Sequence, residues 1–168
     1  MKSKIQDIVE RLDLQEHPEG GYFKETHRSV GEITEENLGE NYKGSRNYST
    51  TIYFLLTSAN FSAFHRIKQD EIWHFYDGSP IRLHVITKDG AYHEHIIGRD
   101  FEKGQLPQRI VEGGDWFASE VLENNSYSLA GCTVSPGFSF EDFEMKSKKE
   151  LVELFPDHEE IIGRLTRY

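Results

Sequence analysis

Phe64-His65-Arg66-Ile67-Lys68-Gln69-Asp70-Glu71-Ile72-Trp73-His74-Phe75-Tyr76-Asp77-Gly78 is the stretch on which the fold turns. Two runs rich in aromatic and aliphatic residues are joined by a polar link, and the second ends on Asp-Gly, a hairpin-turn signal. Side chains alternate along a strand, so Glu71, Trp73 and Phe75 share one face and Ile72, His74 and Tyr76 the other. The first set is expected inside a barrel, and a strand bulge is the device that would turn His74 inward instead. An acid among aromatic rings is desolvated, which raises its pKa and suits it to general acid or base work. His65, on the preceding strand, is expected nearby.

Working outward, the same strand signal recurs at short intervals: Tyr22 to His27, Thr50 to Leu56, Phe61 to Arg66, Ile81 to Thr87, Tyr92 to Ile97, Gln108 to Val111, Trp116 to Val121 and Ser128 to Val134. Asp89-Gly90 and Gly113-Gly114 punctuate them as turns. Many short strands without helical patterns between them predict a sandwich or barrel rather than alternating strands and helices. Helical periodicity is confined to the ends. Ser3 and Gln6 form a capping box before Ile5, Ile8, Val9 and Leu12, and Ser147 and Glu150 form another before Leu151, Leu154 and Phe155. Pro156 stops that second helix ahead of a last one bearing Ile161, Ile162 and Leu165. The paired glycines of His17-Pro18-Glu19-Gly20-Gly21 break the first helix. Residues 30–45, with three glycines and many acids, read as a long exposed loop with room for one helical turn. The expected organisation is one domain over 1–168, with an N-terminal helix at 1–15, a β-barrel at 20–143 and C-terminal helices at 147–168.

Composition narrows the function classes. The 168 residues carry 19 Lys plus Arg against 29 Asp plus Glu, a formal net charge of −10 that repels phosphate backbones and anionic lipid alike. No nucleic-acid and no membrane partner is expected. The apolar runs are far shorter than the ~20 residues of a membrane helix, and the first residues are too polar for a signal peptide. Cys132 is the only cysteine, so no intrachain disulfide or cysteine-based zinc cluster is possible, and a reducing, cytoplasmic setting is the expectation.

His65, then Glu71 six residues on, then Gly78 seven after that, resembles the first signature of the cupin superfamily, whose fold is a double-stranded β-helix or jelly roll. Ile67 stands where metal-binding members have a second histidine. Val111-Glu112-Gly113-Gly114-Asp115-Trp116 resembles the second signature, with Trp116 in place of the third histidine. The chain is most similar to the group catalogued as the fifth cupin grouping, a domain of unknown function. His17-Pro18-Glu19-Gly20-Gly21-Tyr22, Ile52-Tyr53-Phe54-Leu55, Asp70-Glu71-Ile72-Trp73-His74-Phe75-Tyr76 and Gly131-Cys132-Thr133-Val134-Ser135-Pro136-Gly137-Phe138 carry that likeness. The resemblance implies a mainly β jelly roll, a homodimer, and an architecture related to sugar-nucleotide epimerases.

The functional expectation is a barrel that binds a small polar metabolite, a carbohydrate or sugar phosphate, as a metal-independent epimerase or isomerase. His65 and Glu71 are the candidate catalytic pair, because an imidazole and a carboxyl facing one cavity can move a proton to and from carbon or oxygen. Lys24 and Arg66 are candidates for holding an anionic group, and Trp73, Phe75 and Trp116 for stacking on the ligand. The alternative for Trp116 is core packing. No cofactor is expected. If a metal binds, His65, Glu71 and His74 are its ligands, while His93 and His95, on one strand face, offer a second chelating geometry. Cys132 is expected to be buried and inert. Two other functions stay open: a ligand-binding protein without chemistry, and a metal-dependent oxygenase with unusual ligands.

Overall fold

The computed structural model describes residues 3–168. Helix α1 (Lys4–Arg11) opens it, and the Ser3 hydroxyl accepts the Gln6 N–H while the Gln6 side chain accepts the Ser3 N–H. The expected helix at 1–15 is thus shorter, and its residues 1–2 lie outside the described part. It ends early because Asp13 adopts φ 52°. Asp13 N–H then bonds back to Glu10 O and Leu14 N–H to Val9 O, a left-handed helix stop made without glycine. Ile5, Ile8, Val9 and Leu12 pack around Leu14, Leu55 and Tyr127.

Strands follow in chain order: β1 (Gln15–Glu16), β2 (Tyr22–Arg28), β3 (Glu32–Ile33), β4 (Arg46–Asn47), β5 (Thr50–Thr57) and β6 (Phe61–Arg66). Next come β7 (Asp70–Gly78), β8 (Ile81–Ile86), β9 (Tyr92–Ile97), β10 (Gln108–Val111), β11 (Trp116–Val121), β12 (Tyr127–Ser135) and β13 (Glu144–Met145). Helices α2 (Lys148–Leu154) and α3 (Glu159–Arg164) close the order. The segment expected to be a long loop with room for one helical turn holds that turn, a 3-10 turn at Glu35–Asn37, and also β3, which pairs with β4 just beyond the segment's end.

Two antiparallel sheets face each other, ordered β1-β2-β5-β12-β7-β10 and β13-β6-β11-β8-β9. Their inner faces share a core that includes Phe54, Leu56, Trp73, Leu83, Val85 and Phe117. On the outer side of the second sheet, Phe64, Ile86, Trp116 and Ala118 are covered by Leu151, Ile162 and Leu165 of the C-terminal helices. The alternation in β7 holds: Glu71, Trp73 and Phe75 are buried. A bulge does occur opposite Leu129 and Ala130, but it falls after Phe75, so it leaves His74 facing outward. No described helix is long and apolar enough to cross a membrane.

Candidate functional site

One end of the sandwich holds a cavity of about 570 Å³, walled by the inner faces of β2, β5, β7 and β12 and by residues 43–47 and 138–143. Strand pleat decides what it contains. Phe23 and Glu25 of β2 pair with Phe54 and Ile52 of β5 and face inward, whereas Lys24 pairs with Tyr53 and faces out. Aromatic rings form much of the wall. Phe138, Phe140 and Phe143 contact one another, and the His17 ring lies against Phe140, Phe143 and Phe23.

The segment that bears these rings is pinned by a buried ion pair. Asp142 accepts two hydrogen bonds from Arg46, at 2.7 and 2.8 Å, and a third from Gln69 Nε2 at 2.7 Å. Burial works against the charge on Asp142, yet the hydrogen bonds from Arg46, Gln69 and Lys68 outweigh it and keep the carboxyl below its ordinary range.

Glu19 supplies the floor. Gly20 and Gly21 adopt φ 116° and 78°, and a Cβ on Gly20 would stand 2.2 Å from Phe61 O. Only glycine fits there, and the turn sends the Glu19 side chain into the barrel. The Glu19 carbonyl accepts from Ala63 N–H at 2.9 Å and from Arg167 Nε at 3.1 Å, which locks the backbone. Its Oε1 accepts from Ser62 at 2.8 Å, and its Oε2 lies 3.0 Å from His65 Nε2 and 3.4 Å from His17 Nδ1.

The hydrogens can be counted. His65 Nδ1 donates to Ala63 O at 2.7 Å, so the short contact between His65 Nε2 and Glu19 Oε2 holds one further proton, on oxygen or on nitrogen. Burial pushes the Glu19 carboxyl up and the His65 imidazole down, which favours the neutral arrangement with the proton on Glu19. Glu71 is the second acid. Burial, offset in part by His65, pushes it up to about 7. The Cys132 thiol donates to Glu71 and is itself pushed well up by burial, so it stays protonated and is a poor nucleophile.

The structure brings His65, Glu71 and Trp73 together on the cavity and separates the other expected site residues from it. Lys24 is paired with Asp13 at 2.6 Å on the outer face. Arg66 points away from the cavity because its neighbour His65 points in; it pairs with Glu144 at 2.6 Å and lies over the Trp116 ring. Trp116 is core beneath the C-terminal helices, since Phe117 takes the inward position in β11. Phe75 faces inward but is buried further along the barrel, against Arg99. His74, on the outer face, bonds Thr133 Oγ1 at 3.1 Å, so it cannot join His65 and Glu71 around one ion. Ile67 lines the cavity where a second histidine would be needed, and among the described residues no three His, Cys, Asp or Glu side chains are grouped to hold a metal. This donor set does not fit the metal that the fold family implies. His93 and His95 stack side by side, outside the cavity.

Glu19 and His17 are the residues that sequence reasoning passed over. The signal was present in His17-Pro18-Glu19-Gly20-Gly21, but paired glycines read equally as a simple breaker.

An antiparallel jelly roll whose inner face closes around an aromatic cavity with acids and an imidazole at its floor defines a cupin-fold protein with a small-molecule pocket. The chain belongs to the cupin superfamily, in the family described as Cupin superfamily (DUF985), whose model matches residues 6–146. It is 33% identical over 162 residues to an uncharacterised protein of Saccharomyces cerevisiae, covering 90% of this chain and 80% of that one. The solved structure of a hypothetical protein from Leishmania major superposes with a TM-score of 0.90 at 37% identity, over 99% of this chain and 100% of that chain. Oxalate decarboxylase from Bacillus subtilis matches with a TM-score of 0.54 at 15% identity, over 91% of this chain and 37% of its own, a likeness of fold alone.

Proposed function

We propose that this protein is an isomerase or epimerase that moves a proton on a small carbonyl-bearing metabolite without a metal. One observation carries the reading: two proton-holding units, the Glu19–His65 pair and Glu71, face the same cavity, and Glu71 is pushed up to about 7. A carboxyl with that pKa is part ionised near neutrality. Ionised Glu71 takes a proton from the carbon beside the carbonyl, and the Glu19–His65 pair gives its proton to the carbonyl oxygen. Return of a proton to carbon completes an isomerisation or epimerisation with no other reactant. The phosphate of a sugar phosphate loses its expected anchors, since Lys24 and Arg66 lie outside the cavity.

The test is deuterium uptake from D2O into a mixture of carbonyl sugars and keto acids, read by mass spectrometry. The native protein is expected to label a component, and His65→Ala and Glu71→Gln to slow this by ~100-fold or more. Uptake by His65→Ala at the native rate would remove His65 from the mechanism. A purely binding role is the second reading, favoured by the aromatic walls; saturable binding with no uptake supports it. The homodimer belongs to the same proposal, through the outer face of the first sheet, where Tyr53 and Tyr76 meet edge to face.

A further inference from the structure

The Glu19–His65 pair joins two pieces of chain, and a third piece holds both of them. Just past α3, Leu165 O accepts the Phe64 N–H at 2.9 Å, beside His65 in β6. Two residues further on, Arg167 reaches the turn that carries Glu19. Its Nε donates to Glu19 O at 3.1 Å, and its Nη2 donates to Phe61 O and to Asn60 Oδ1, both at 2.6 Å. The guanidinium also lies over the Phe61 ring, 4.4 Å from its centroid. Arg167 is an exposed residue, yet these hydrogen bonds go to main-chain and amide oxygens and none to a surface carboxylate. One planar fork therefore ties the main chain at Glu19 to the head of β6, the strand that bears Ser62 and His65.

Gly20 makes room for that fork. A Cβ there would stand 2.2 Å from Arg167 Nη2 as well as from Phe61 O. Without side chains, Gly20-Gly21 has little of its own to fix the turn, so the Glu19 main chain depends on partners from elsewhere. Its carbonyl has two donors, the Ala63 N–H of β6 and Arg167. We propose that Arg167 is a positioning residue of this site: by joining the Glu19 carbonyl to Phe61 at the head of β6, it sets the Glu19 carboxyl against His65. This role rests on the proton-transfer reading above. Arg167 is not among the residues that line the cavity, so it acts through Glu19 and not on a ligand. The leverage is distance: the Glu19 Oε2 to His65 Nε2 contact is 3.0 Å, and a proton relay loses its efficiency once such a contact opens beyond hydrogen-bond reach.

Nitrogen-15 NMR of the His65 ring, assigned by its loss in His65→Ala, tests this on the full chain without a substrate. In Arg167→Ala the Nε2 resonance is expected to shift as Glu19 withdraws. Arg167→Lys keeps the charge but brings one nitrogen where arginine brings two, and is expected to restore the resonance only in part. Arg164→Ala is the control. It frees the same end of α3 from Glu120, which Arg164 holds at 2.7 and 2.9 Å, and is expected to leave His65 unmoved. Deuterium uptake is expected to slow by ~10- to 100-fold in Arg167→Ala and to keep its native rate in Arg164→Ala. An unmoved His65 resonance in Arg167→Ala, full rescue by lysine, an equal shift in Arg164→Ala, or native uptake by Arg167→Ala overturns the proposal. A shifted resonance with no uptake even by the native protein keeps the hold of Arg167 on the Glu19–His65 pair and defeats the proton-transfer reading instead.

Discussion

Glu71 links ionisation to stability. Its carboxyl is pushed from 4.5 up to about 7 chiefly by burial, so between those values the folded chain keeps a proton that the unfolded chain has released. The stabilising contribution of that proton is complete below 4.5 and fades as pH rises through about 7. At about 1.4 kcal/mol per pH unit the span corresponds to ~3 kcal/mol. Glu71→Gln cannot ionise, so it should gain on the native protein by up to ~3 kcal/mol between pH 4.5 and pH 8 in urea unfolding. Parallel stability curves for the two proteins would show that Glu71 ionises normally. The inward placing of Glu71, Trp73 and His65 was legible in the sequence, because strand parity alone decides it. Parity also decides Lys24, but only relative to the neighbouring strand, and without the β2–β5 register Phe23 and Lys24 compete for the same wall. Glu19 was hidden for another reason: its partner Ser62 lies 43 residues away, and local pattern carries no information about such pairs.

The segment Phe140–Asp142 is held to the barrel by charge more than by its own turn. Arg46 and Asp142 lie 96 residues apart, and both are almost wholly buried. Removing one member of such a pair strands the other charge away from water. Asp142→Ala should therefore cost about 3–5 kcal/mol in chemical unfolding and expose residues 138–143 to limited proteolysis. A loss under ~1 kcal/mol would mean that Arg46 finds another partner or water. Most strands could be drawn from the sequence nearly to the residue, because aromatic and β-branched runs bounded by glycine turns are a dense signal. Element ends were less legible. The stop of α1 at Arg11 depends on Asp13 taking a left-handed conformation, which composition does not announce. The strand β4 was lost in a polar segment whose order comes from pairing with β3 and from Arg46 reaching Asp142.

At the scale of the molecule, the two outer sheet faces are treated differently. The second sheet is covered by α2 and α3, while α1 covers only part of the first and leaves Tyr76 46% and Ile110 57% exposed. Light scattering should report twice the chain mass for the native protein and a single chain for Tyr76→Asp. A native monomer at high concentration would refute the dimer. The jelly roll was legible because its signal is spread over many strands, whereas the cavity floor joins distant pieces of chain that meet only when the whole is assembled. The grip of Arg167 on the Glu19 carbonyl bridges 148 residues. Contacts so far apart in sequence are entropically late in folding. During synthesis, Glu19 leaves the ribosome long before Arg167 does, so a nascent chain with both sheets already translated holds its floor through Ser62, Ala63 and His65 alone. The last tie on the pocket floor is consequently one that only the C-terminal residues can make.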